Sequence, residues 1–88
     1  MFDFELQRPD GMDDDTWEAY VDQALKLIKK YTPVKTGKLR NGWSLSDLNP
    51  YSAIISNDVP YAEFVNDGTP YMAARNMTGL TLAALGGR

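Results

Sequence analysis

Asp13-Asp14-Asp15-Thr16-Trp17-Glu18-Ala19-Tyr20-Val21-Asp22-Gln23-Ala24-Leu25-Lys26-Leu27-Ile28-Lys29-Lys30-Tyr31 decides the fold. Trp17, Tyr20, Val21, Ala24, Leu25, Ile28 and Tyr31 recur at spacings of three and four, which gathers them on one face of a helix. The aspartates offer N-cap oxygens and place negative charge at the positive end of a helix dipole. Lys26, Lys29 and Lys30 complement the opposite end, and Asp22 and Lys26 form a favourable i, i+4 pair. The spacing predicts an amphipathic helix over about 14–31, and Pro33 prevents it from continuing.

Working outward, Phe2, Phe4 and Leu6 alternate with Asp3, Glu5 and Gln7 as in a half-buried strand, closed by the turn Pro9-Asp10-Gly11. This strand can pair inside the subunit or reach across to another. After the long helix, residues 32–42 carry two glycines, a proline and three bases with few apolar side chains, and read as an exposed basic loop. A segment that buries so little is expected to order only on docking. Trp43 and Leu45 alternate with Ser44 and Ser46 over about 42–47, Asn49-Pro50 turns the chain, and residues 51–56 supply a more β-branched strand, together an antiparallel hairpin. Tyr61-Ala62-Glu63-Phe64-Val65 fits a short helix with Gly68 as its left-handed terminus. From Met72 to Leu85 a second helix is expected, with Met72, Met77, Leu80 and Ala84 as its apolar stripe, and residues 86–88 are expected to fray. The fold class is therefore α+β, an N-terminal amphipathic helix on a small antiparallel sheet, with a short helix and a C-terminal helix.

The chain has 88 residues, 43% of them hydrophobic and 24% charged, which suits one domain, 1–88, and excludes a multidomain enzyme. It contains no cysteine and no histidine, so disulfides, the usual zinc ligands, the thiol nucleophile and the commonest general base are all missing. No cofactor or metal is expected. The acidic start lacks the basic region of a signal peptide, and no apolar run is long enough for a membrane span, so a protein kept in the cytosol, or packaged from it, is expected.

Net charge is -3, but its distribution says more: residues 1–22 hold eight acids against Arg8, whereas residues 26–40 hold six bases and no acid. Such polarity suits contacts between unlike patches of neighbouring subunits, which generate rings when the rotation closes, and is compatible with a ring. Other charged features have ordinary explanations. Gly37-Lys38 lacks the glycine spacing and the Ser or Thr of a phosphate-binding loop. The aspartate triplet lacks calcium-loop spacing and suits a solvated helix start. Glu63 and Asp67, four apart, could share a helical face as paired acids, yet nothing nearby suggests a cleft.

Pro33-Val34-Lys35-Thr36-Gly37-Lys38-Leu39-Arg40 followed by Trp43, a hairpin, and then Tyr61-Ala62-Glu63-Phe64-Val65-Asn66-Asp67-Gly68-Thr69 resembles the tail-completion and head-tail joining proteins of long-tailed bacteriophages. In that family a P-V-x-T-G-x-L-R loop follows the first helix and a Y-A-x-x-V-x-x-G-T segment follows the strands. The matching pieces cover about half the chain in the same order. Pro70-Tyr71-Met72-Ala73-Ala74-Arg75 is similar to the segment leading into the family's last helix. Family members are commonly longer, and here Gly68-Thr69 runs directly into Pro70.

The resemblance implies a non-enzymatic virion protein in a ring of the head-tail neck, assembled in the host cytoplasm. Its implied partners are itself, the portal-adaptor proteins and the tail-tube or tail-terminator proteins, with genome DNA passing through the lumen without specific binding. No membrane is involved. On this reading Lys35, Thr36, Gly37, Lys38, Leu39 and Arg40 form an assembly loop, with Gly37 at its bend and Leu39 as an apolar anchor. Tyr61, Ala62, Gly68 and Thr69 form a structural motif. Two alternatives remain at this point: a small nucleic-acid-binding module using residues 26–40 with Tyr31 and Trp43 for stacking, and a capsid-associated minor virion protein.

Overall fold

The computed structural model describes residues 2–32, 37–68, 70 and 74–86. Strand β1 (Phe2–Gln7) turns Phe4 and Leu6 inward, as its alternation requires. Strands β2 (Trp43–Leu48) and β3 (Ser52–Asn57) form the expected hairpin, and β3 is central in a three-stranded sheet of order β1-β3-β2. Both pairings are antiparallel, with Phe2 and Trp43 flanking Asn57 at one end of the sheet. The N-terminal strand therefore pairs inside the subunit.

Helix α1 (Asp14–Lys30) lies on one face of this sheet. Trp17, Val21, Ala24 and Ile28, at spacings of four, three and four, are buried with Phe4, Leu6, Trp43, Ala53 and Ile55 in one core cluster. Each fully buried Ile or Leu in it contributes about 1.5–3 kcal/mol relative to exposure. Two indoles fix the helix at its ends. The Trp17 Nε1–H donates to the Asn49 carbonyl over 3.0 Å, and the Trp43 Nε1–H donates to the Thr32 hydroxyl over 2.8 Å. Since Trp43 opens β2 and Asn49 follows it, α1 runs antiparallel to β2.

Three features depart from the sequence pattern. First, β2 carries a bulge at Ser46: Leu45 pairs with Ile55 while Asp47 pairs with Ile54. The extra residue brings Leu48, opposite buried Ala53, to the same sheet face as Leu45. Second, the expected loop over 32–42 is partly folded. Lys38–Asn41 form one helical turn, α2, and Thr32 and Leu39 are buried. The physical reason is polar: the buried Asn57 side chain donates through Nδ2 to the Leu39 carbonyl and accepts from the Val59 amide, at 2.8 and 2.9 Å. Residues 33–36 lie outside the described residues.

Third, the C-terminal helix α4 (Met77–Gly86) begins later than expected and turns a different stripe inward. Met77 and Thr81 are buried and Leu85 packs on the core, while Leu80 and Ala84 face outward. Met72, the first residue of the expected stripe, lies outside the described residues. The late start follows from Asn66, on the short helix α3 (Ala62–Asp67), whose Oδ1 accepts from the Thr78 amide over 3.0 Å. Together with the bonds Arg75 N to Val65 O and Asn76 N to Asn66 O, it ties the end of α3 to the start of α4. From there α4 packs along α1.

Arg8 closes the opposite end. Its guanidinium donates to the carbonyls of Met12 and Pro50 and pairs with Asp14, joining β1, the following turn, α1 and the β2–β3 turn. Arg8→Met is expected to lower unfolding free energy by about 1–3 kcal/mol, because two carbonyls lose a charged donor. Urea denaturation followed by circular dichroism measures it, and a change below about 0.5 kcal/mol would assign those carbonyls to water.

Candidate assembly surface

The expected assembly loop divides into inward and outward residues. Gly37 takes φ +78° at the start of α2, a conformation that L side chains resist. Leu39, the expected apolar anchor of the loop, is 5% exposed and belongs to the core of the subunit, and its carbonyl accepts from the Asn57 side chain. Lys38 and Arg40 face outward on either side of it. Lys35 and Thr36 lie outside the described residues.

The second motif also divides. Ala62 is fully buried, whereas Tyr61 is exposed. Gly68 has the expected positive φ, +82°, but with ψ at 171° it is extended rather than helical in ψ, a region open essentially to glycine alone. Its amide donates to the Phe64 carbonyl and closes α3. Thr69 lies outside the described residues.

The fold sets the charge polarity out in space. The seventeen residues of α1 span about 25 Å, so its acidic start and basic end stand far apart. At the acidic end, Asp13 caps the helix by accepting from the Thr16 amide over 2.7 Å. Hydrogen bonds from Thr16, side chain first and then backbone, hold the Asp13 carboxyl below the ordinary carboxylate range. Asp14 pairs with Arg8. Asp10, Asp15 and Glu18 point to solvent at the same end. At the other end, α2 follows the terminus of α1, so Lys29, Lys30, Lys38 and Arg40 share one region, with Asp58 after β3 and Asp3 on the outer sheet face nearby.

The remaining constellations resolve into structural roles. Among the described residues no group of three or more His, Cys, Asp or Glu could hold a metal ion, and no helix is long and apolar enough to cross a membrane. Glu63 and Asp67 are both exposed on α3, with Asp67 accepting from the Asn66 Nδ2. An open depression of ≈ 540 Å³ surrounds Arg8, whose donors are already engaged. Trp43 is 2% exposed with its Nε1–H occupied, which removes it as a base-stacking platform. Tyr31 is half-buried beside the Lys30 ammonium.

Sequence reasoning passed over Arg8, Thr32, Asn57 and Asn66. Only Asn57 and Asn66 carried a signal, as polar residues directly beside apolar runs.

The fold is a small α+β domain whose longest helix is acidic in its first turn and basic in its last. Residues 11–68 match the model of the HK97-gp10-like family, described as "Bacteriophage HK97-gp10, putative tail-component". The chain belongs to this family of bacteriophage tail components. The match runs from the turn before α1 to the end of α3, leaving β1 and α4 outside it. No curated protein and no solved structure matches the chain.

Proposed function

We propose that the protein is a structural component of the head-tail neck of a tailed phage, where copies form a ring that completes the tail and joins it to the filled head. Membership of a phage tail-component family across 11–68 carries this reading. The charge polarity supports it, since unlike patches at opposite ends of one subunit suit head-to-tail contacts, the kind that forms rings when the rotation closes. Its neighbours in the virion would be the portal-adaptor proteins on one side and the tail-tube or tail-terminator proteins on the other, with DNA sliding through the lumen. Assembly takes place in the host cytoplasm. The protein acts by contact and not by catalysis: the described acids are engaged as caps or pairs or stand in solvent, and neither histidine nor cysteine is present.

The test is genetic. A stop codon at Trp17 in the encoding phage is expected to yield DNA-filled heads beside unattached tails in electron micrographs of the lysate, with infectious titre lowered by several orders of magnitude. Intact infectious virions would overturn the neck reading. Steeply salt-dependent DNA binding by the purified protein would favour the nucleic-acid module instead.

A further inference from the structure

We infer that copies of this chain dock head to tail, the acidic amino-terminal end of α1 in one copy seating on the basic carboxy-terminal end of α1 and the α2 turn of the next. The inference deepens the ring reading above and rests on it. Its argument is charge complementarity fixed by a rigid element. Along the middle of α1 the charges close on themselves, Asp22 with Lys26 at 3.0 Å. What remains lies at the ends.

Asp10, Asp15 and Glu18 have no ion-pair partner among the described residues, and neither do Lys29, Lys30 and Arg40. One molecule cannot bring these two sets together, because the rise of α1 holds Glu18 about 16 Å from Lys29 and Asp15 about 22 Å from Lys30. A second copy can. The sheet covers one flank of α1 and α4 another, which favours contact through the ends. The two ends are unlike surfaces, so the contact is heterologous and each subunit keeps one open pole for the next.

The experiment uses the full purified chain and analytical ultracentrifugation across salt. Wild type is expected to associate beyond the dimer at about 20 mM salt, with affinity falling at least tenfold by about 300 mM as screening grows. An acid-end variant, Asp10→Lys with Asp15→Lys and Glu18→Lys, and a base-end variant, Lys30→Glu with Arg40→Glu, should each lose self-association by at least tenfold. These substitutions spare Asp13 and Asp14, which hold the fold. An equimolar mixture of the two variants should associate again, because each supplies the charge that the other lacks.

Wild type monomeric at about 0.5 mM, either variant associating like wild type, or a mixture that stays monomeric overturns the contact. Association that stops at the dimer overturns the head-to-tail arrangement. Where circular dichroism shows that a reversal unfolds the chain, the neutral variants Asp15→Asn with Glu18→Gln, and Lys30→Gln with Arg40→Gln, read the same contact by a smaller loss. Failure here with unattached tails in the stop-codon lysate would leave the neck reading standing and reject this contact alone.

Discussion

Trp43→Ala is expected to remove a large share of the stability of the chain. At roughly 0.05–0.15 kcal/mol per residue, 88 residues carry about 4–13 kcal/mol in total. Trp43 is 2% exposed and packs edge-on against Phe2 with ring centroids 5.9 Å apart. Truncating a buried tryptophan costs about 3–5 kcal/mol, which lowers the melting temperature of so small a chain by roughly 12 °C or more. Part of the cost is polar, because the indole N–H is held by the Thr32 hydroxyl, itself donating to the Ile28 carbonyl at 2.5 Å. Trp43→Phe keeps much of the ring and should cost about 1–2 kcal/mol. Thermal and urea denaturation followed by far-ultraviolet circular dichroism measures both. A loss below about 1 kcal/mol for the alanine variant would mean that the site collapses around the smaller side chain.

That prediction bears on what the sequence pattern reports. The residues from Thr32 to Trp43 carry the resemblance to phage joining proteins, and they suggest an interface because they are basic and poor in apolar side chains. In the fold, Thr32, Leu39, Gly42 and Trp43 form the joint between α1 and the sheet, and among the described residues of the stretch Lys38, Arg40 and Asn41 are the exposed ones. The pattern is legible as a motif, and its meaning is mainly structural. One glycine-rich, weakly apolar stretch can be an open loop or a tight joint, and the difference lies in a residue fifteen positions beyond Gly42, Asn57, that donates a hydrogen bond back to the Leu39 carbonyl.

Elsewhere local periodicity sufficed. The α1 stripe, the alternation in β1 and the hairpin turn at Asn49 all appear where local rules place them, and Asn49 Oδ1 accepts from the amides of Tyr51 and Ser52 as an Asx turn requires. The bulge at Ser46 escaped because serine alternation looks unbroken across it. The stripe of α4 escaped because its sequence is apolar on every side, so periodicity does not choose a face. The face is chosen from outside: Asn66 fixes the start of the helix, and Met77, Thr81 and Leu85 then fall on α1. The charge poles were legible as a count, but the distance between them is a property of the folded helix.

Asn57→Ala is expected to be the second large loss, and its coupling to Gly42 tests the joint directly. Asn57 is fully buried and satisfies the Leu39 carbonyl and the Val59 amide. Leaving two buried backbone groups unpaired costs about 1–3 kcal/mol each, so about 2–6 kcal/mol is lost. Gly42 is there to admit this side chain: a Cβ at position 42 would stand 2.6 Å from the Asn57 Oδ1 and 3.0 Å from the Val59 Cγ2. Gly42→Ala alone must therefore displace a side chain committed to two hydrogen bonds, at about 1–3 kcal/mol. Once Asn57 is alanine, the closest of those contacts is gone, and Gly42→Ala should add less than about 1 kcal/mol. A double-mutant cycle by urea denaturation should thus give a coupling of at least about 1 kcal/mol between two positions fifteen residues apart. Simple additivity would show that Gly42 is required by its own backbone and not by the asparagine packed against it.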